Sequence, residues 1–141
     1  MFIAKWMIAF VAIYGGLGGL GGLIFDAVIP STACQHIRNP KWPPHAKFHN
    51  GQTMLLGFYN AAIAIALLFA LPSSLGSFLL AAALAEAYFL CMLMAPVFPG
   101  TAWSDPEFVA INPKPFGIPV QKFLSLLASA VVLIAVLIVI V

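Results

Sequence analysis

Four long apolar runs, roughly residues 2–29, 49–71, 75–95 and 120–141, decide what this chain can become. A helix needs about 20 apolar residues to cross a hydrocarbon layer at a rise of about 1.5 Å per residue, and every run is that long. Only 7% of the side chains are charged against 63% hydrophobic, and the mean hydropathy is +1.08. A soluble domain of 141 residues could not cover so much apolar surface. The expectation is an all-α polytopic membrane protein: residues 1–141 form a single four-helix transmembrane bundle, with loops 30–44 and 96–119 folded as a cap over one end.

The first run has some features of a signal peptide, with Lys5 ahead of an apolar core and Ser31, Thr32 and Ala33 behind it. It is too long for a signal core and ends in Asp26, so it is read as a span. Four spans put both termini on one side. Arg38, Lys41, Lys47, Lys114 and Lys122 fall on the loop side, against Lys5 and the terminal amine on the other. The positive-inside rule then makes the loops cytoplasmic and the termini non-cytoplasmic, although Asp26, Asp105 and Glu107 share the loop face. "PSSLG", Pro72 to Gly76, reads as a tight turn between antiparallel helices. Cys34 and Cys91 make neither a disulfide framework nor a zinc site.

Within the first span, "GGLGGLGGL" places six glycines between Gly15 and Leu23. Gly15, Gly18, Gly19 and Gly22 share one face of a helical wheel, Gly16 and Gly21 flank it, and Leu17, Leu20 and Leu23 lie opposite. Each glycine costs about 1 kcal/mol relative to alanine in a helix, so something has to approach that bare face closely enough to recover dispersion energy. A neighbouring helix, a flat ligand, or a second copy in a homodimer through the Gly15–Gly22 face would each do so.

Polar groups in apolar runs carry the functional signal. "QHIRNPKWPPHAKFHNGQT", Gln35 to Thr53, holds all three histidines beside Trp42. Pro44 suits a helix start, which puts His45 and His49 one turn apart, on a stripe continuing through Gln52 and Thr53 to Asn60. Glu86, in "ALAEAYFL", lies near the middle of the third span, where a charge costs about 2.5–3.5 kcal/mol. It should be protonated, paired or facing a wet cavity, and as a neutral acid it can donate a proton. Asp26 is shallower and suits an interfacial acid or a group that orients a histidine. The bland alternatives are headgroup contacts for His45 and His49 and interhelical hydrogen bonds for Asn60 and Gln52.

Three classes of function fit. In the first, an enzyme carries out acid–base chemistry on a lipophilic, isoprenoid- or sterol-like molecule, by isomerisation, cyclisation or epoxide opening, with no cofactor. Glu86 is the proton donor there, His45 and His49 the base or its relay, and Asp26 the orienting group. Asn60, Gln52, Thr53, Tyr59, Tyr88, Phe89 and Trp42 form the substrate wall, the rings being suited to a cationic intermediate. In the second, His45 and His49, with His36 and Asp26, hold a metal or haem iron. In the third, the chain is a non-catalytic subunit or a small transporter. Membrane lipids surround it in every case, and no nucleic-acid partner is expected.

An acid closing the first span ("LIFDAVIP"), a proline-rich loop, and a carboxylate in a later span ("LAEAYF") resemble the EXPERA-type sterol isomerase and emopamil-binding group. In length the chain is also similar to small DoxX-like membrane proteins. The resemblance covers the architecture, and Asp26 and Glu86 residue by residue. It implies an apolar cavity open to lipid that holds a sterol-like or terpenoid ligand near intramembrane acids.

Overall fold

The computed structural model describes residues 1–18 and 22–141. Among these every regular element is helical: α1 (Phe2–Ile13), α2 (Pro30–Ala33), α3 (Pro44–Ile65), α4 (Leu75–Met94) and α5 (Val120–Ile140). Prolines set several of the starts. Pro44 and Pro30 occupy the first turns of α3 and α2, where a missing N–H costs nothing, and Pro119 precedes α5. Ser74 caps α4 by accepting a hydrogen bond from the Ser77 N–H at 3.0 Å.

With their terminal turns included, three helices are long and apolar enough to cross a membrane: Pro44–Ala70, Leu75–Val97 and Val120–Ile140. The span expected over 2–29 runs in part through residues outside those described. Its described apolar helix is Phe2–Leu17, about 24 Å at 1.5 Å per residue. Past Ile13 the backbone widens into a π-helical turn, Tyr14–Gly18. A second π turn, Ile24–Val28, carries Asp26, and Gly19, Leu20 and Gly21 lie outside the described residues.

α1 and α4 each pack against the other and against both α3 and α5, whereas α3 and α5 meet each other far less. The inner pair is therefore α1 and α4, flanked by α3 and α5. Alanine dominates the packed positions, with Ala4, Ala9, Ala12, Ala61, Ala64, Ala81, Ala82, Ala85, Ala128 and Ala135 all buried around Ile8, Phe78 and Phe89. Small side chains bring backbones close and let dispersion act over many atoms, which suits helices packing in an apolar solvent. Large apolar side chains such as Phe10, Leu56, Leu80 and Leu133 point outward instead.

The glycines at the start of the repeat serve this packing. A Cβ added to Gly16 would lie 2.5 Å from the Ala61 Cβ and 2.7 Å from the Gly57 carbonyl oxygen, and one on Gly15 would meet the Phe89 ring at 3.0 Å. So α4 covers Gly15 and α3 covers Gly16 within the same chain. Farther along α1, the Lys5 ammonium donates to the Leu68 carbonyl at 2.8 Å and to Ser73 Oγ at 2.5 Å. A cation there complements the negative end of the α3 dipole and ties α1 to the α3–α4 turn.

Candidate functional site

The two long loops meet. Gln35 and Asn112 exchange amide hydrogen bonds in both directions, at 3.0 and 2.9 Å, and Asn112 also donates to Ser104 Oγ at 2.7 Å. The Trp42 indole N–H donates to Asp105 Oδ2 at 3.2 Å, and Lys41 Nζ donates to Glu107 Oε1 at 3.1 Å. Loop 30–44 and loop 96–119 are thus fastened at three places, as a cap beside the ends of α1 and α5.

Beneath them lies a cavity of about 540 Å³. Its wall comes from Tyr14, from the Phe25–Asp26 turn, from both cap loops, and from Val120, Gln121 and Leu124 of α5. None of the lining residues belongs to α3 or α4.

Asp26 is the chemical centre of this wall and is only 2% exposed. Asn50, on the first turns of α3, donates its amide N–H to Asp26 Oδ2 at 2.7 Å, and His36 Nδ1 lies 3.4 Å from Oδ1. The same His36 nitrogen is 2.9 Å from the Thr32 carbonyl oxygen. A carbonyl can only accept, so Nδ1 carries a proton and the neutral ring keeps its lone pair on Nε2. Thr32 is itself held by donating Oγ1–H to the Phe25 carbonyl at 2.6 Å. The Trp42 and His36 rings pack in a T-shaped arrangement, with centroids 5.8 Å apart at 87°. His36 is thereby fixed in position, orientation and tautomer by groups from three segments.

The other expected residues sit elsewhere. His45 and His49 are exposed and bonded to each other, Nε2 to Nε2, at 3.0 Å, with His49 Nδ1 3.1 Å from Gln52 Oε1. Thr53 is exposed and donates to the His49 carbonyl, and Tyr59 is exposed farther along α3. Asn60 is half-buried. This polar stripe runs down the outer side of α3 and contributes nothing to the cavity wall. Glu86 Oε1 accepts from Ser129 Oγ at 2.6 Å, joining α4 to α5, while Oε2 is buried without a partner among the described residues. Tyr88 and Phe89 pack on the Gly15–Gly57 contact, and Phe89 stacks on Tyr14 at 6.0 Å. Trp42 belongs to the cap. Among the described residues no three His, Cys, Asp or Glu side chains converge as a metal site would require, His36 with Asp26 lying apart from His45 with His49.

Sequence reasoning gave His36 only a secondary part and passed over Asn50. Asn50 had a usable signal. It heads the buried stripe Met54, Gly57, Ala61, Ala64 and Leu68, whose spacing of three and four identifies the inward face of α3.

The Lys41–Glu107 pair makes a checkable point about the cap. Hydrogen bonding from Lys41 holds the Glu107 carboxyl below the ordinary carboxylate range, helped by Glu107's own backbone N–H and by the lysine's charge. A lowered carboxyl contributes stability above its unfolded-state range and loses it as pH falls through the folded value. Glu107 is exposed, so salt screens the effect. Glu107→Gln should lower Tm slightly at pH 7 in low salt, with the difference from wild type vanishing at pH 3 or in high salt; a difference that persists at pH 3 would contradict this account.

No curated protein and no solved structure matches the chain. A family model matches residues 7–133, nearly the whole length, and the chain belongs to that family, the family of unknown function DUF6640.

Proposed function

We propose that this protein is a four-span integral membrane protein whose cap cavity binds a lipophilic small molecule and moves a proton on it with the Asp26–His36 pair. The first span comprises α1 and the two π turns, the loops are cytoplasmic, and both termini lie on the opposite side. The apolar outward faces of α1, α3, α4 and α5 support this reading, as does the excess of Lys and Arg on the loop side.

One observation carries the proposal: a buried carboxylate and a tautomer-fixed imidazole share the wall of a partly open, largely hydrophobic cavity. Asp26 and the Thr32 carbonyl orient Nδ1–H, Nε2 accepts the proton, and the Asp26 charge compensates the imidazolium that results. An isomerisation or epoxide opening of an isoprenoid- or sterol-like molecule needs such a base, and the resemblance to the EXPERA group points the same way. The reading moves the chemistry from Glu86 to Asp26 and His36, because Glu86 is engaged with Ser129 away from the cavity wall.

The test is mass spectrometry of molecules that copurify with the protein, followed by incubation in D2O. Wild type and Glu86→Gln should both retain the ligand and introduce deuterium into it, whereas His36→Phe should reduce labelling at least a hundredfold. Wild-type protein that retains no lipophilic molecule would end the proposal, and labelling lost in Glu86→Gln but kept in His36→Phe would return the chemistry to Glu86.

A further inference from the structure

His45 and His49 take no part in the cap cavity. They stand exposed, one turn apart on α3, and their Nε2 atoms face each other at 3.0 Å with the ring planes crossed at 78°.

The tautomer of His49 follows from its neighbour. Its Nδ1 lies 3.1 Å from Gln52 Oε1, and an amide oxygen can only accept, so Nδ1 carries the proton and Nε2 of the neutral ring keeps its lone pair. A polar acceptor behind an imidazole prepares it in this way as a metal ligand. His45 Nε2 then supplies the hydrogen between the two rings. A neutral imidazole can carry its one proton on Nδ1 instead, which frees a second Nε2 lone pair with no change of charge. Both rings are exposed, so rotation about χ2 can turn the two lone pairs toward one point.

Distance selects the ion. Metal–imidazole bonds of about 2.0–2.1 Å hold two nitrogens about 2.9 Å apart when they meet at about 90°, and about 3.3 Å apart at the tetrahedral angle. The observed 3.0 Å falls at the right-angled end, the geometry of tetragonal Cu2+ or Ni2+ and not of tetrahedral Zn2+, and of the two Cu2+ binds such nitrogens more tightly. His36 and Asp26, expected to complete a shell, are held together beneath the cap, so the pair on α3 acts without them. Two protein ligands leave the remaining positions to water or an incoming donor, which makes the ion exchangeable where a closed structural site would not.

We infer that His45 and His49 form a two-imidazole site for a tetragonal divalent transition-metal ion, Cu2+ above all, on the outer face of α3. Gln52 is the positioning residue that keeps His49 in the binding tautomer.

The experiment takes full-length protein free of any histidine tag, strips it with EDTA in detergent, and titrates it with Cu2+ while electron paramagnetic resonance spectra are recorded. One ion per chain should bind, with an axial spectrum split by two imidazole nitrogens. His45→Ala and His49→Ala should each abolish the two-nitrogen splitting and weaken binding about a hundredfold, through loss of the chelate. His36→Phe, which alters the remaining histidine of the chain, should change neither. Gln52→Leu should weaken binding about tenfold, and Gln52→Glu should restore it, because a carboxylate also accepts from Nδ1–H. His45, His49 and Gln52 are exposed, so their variants should keep the wild-type Tm without metal. Absence of stoichiometric Cu2+ binding, splitting by a single nitrogen in the wild type, or a two-nitrogen spectrum that survives His49→Ala would overturn the site. Wild-type affinity in Gln52→Leu would overturn the part given to Gln52.

Discussion

Gly16→Val should abolish recovery of folded, monodisperse protein from detergent. The first added carbon would stand 2.5 Å from the Ala61 Cβ and 2.7 Å from the Gly57 carbonyl oxygen, and one of those obstacles is backbone that no side-chain rotation clears. Relief requires α1 and α3 to separate along a contact that also holds Gly15 and Tyr88, and overpacking of this kind costs about 3 kcal/mol or more. That is a large part of a typical total stability of about 5–15 kcal/mol. Gly51 is the internal control. It lies in the same helix as Gly57, and an added Cβ there meets nothing within 4 Å. Gly51→Ala should therefore stabilise the protein, by about 0.5–1 kcal/mol from reduced backbone entropy alone. Equal thermal stability for the two variants would remove the close α1–α3 approach from the account.

Asp26 and Asn50 should show the second large effect, and as a coupled pair. Asn50→Leu leaves a buried carboxylate without its 2.7 Å donor, a loss of about 3 kcal/mol for a hydrogen bond to a charged group. Asp26→Leu strands the Asn50 amide instead and should cost about 1–3 kcal/mol. The double replacement removes both polar groups together and should recover most of the stability lost by Asn50→Leu. Unfolding in detergent, followed by denaturant titration, measures the cycle, and strictly additive losses would mean that the two side chains do not interact. Function should separate from stability here. The double variant, though folded, lacks the group that orients His36 and should show none of the wild-type deuterium labelling.

The sequence was most informative where a single physical rule acts along the chain. Apolar length and proline position placed α3, α4 and α5 close to where they are found, because hydrocarbon thickness and the missing proline N–H act locally. The meeting of the two loops was legible as a cap, but its fasteners were not. Gln35 with Asn112 and Trp42 with Asp105 are more than sixty residues apart, and nothing in either segment specifies the other.

On α3 the helical period marks two faces. The stripe from His45 to Asn60 is a genuine helical face, yet it carries the polar residues on the outer side, while the inward face is the row of small residues headed by Asn50. Hydrophobicity usually tells inside from outside. Here large apolar side chains also point outward, so that sign is lost, and residue size becomes the better guide, since tight helix contacts select Gly and Ala. The chain by itself therefore determined the helices, their lengths and the presence of acids and imidazoles in apolar surroundings. Only the tertiary structure decided which imidazole meets which acid, because Asp26, His36 and Asn50 lie on three segments whose approach is set by close packing of α1 on α3 and by the cap, and neither is written in local sequence.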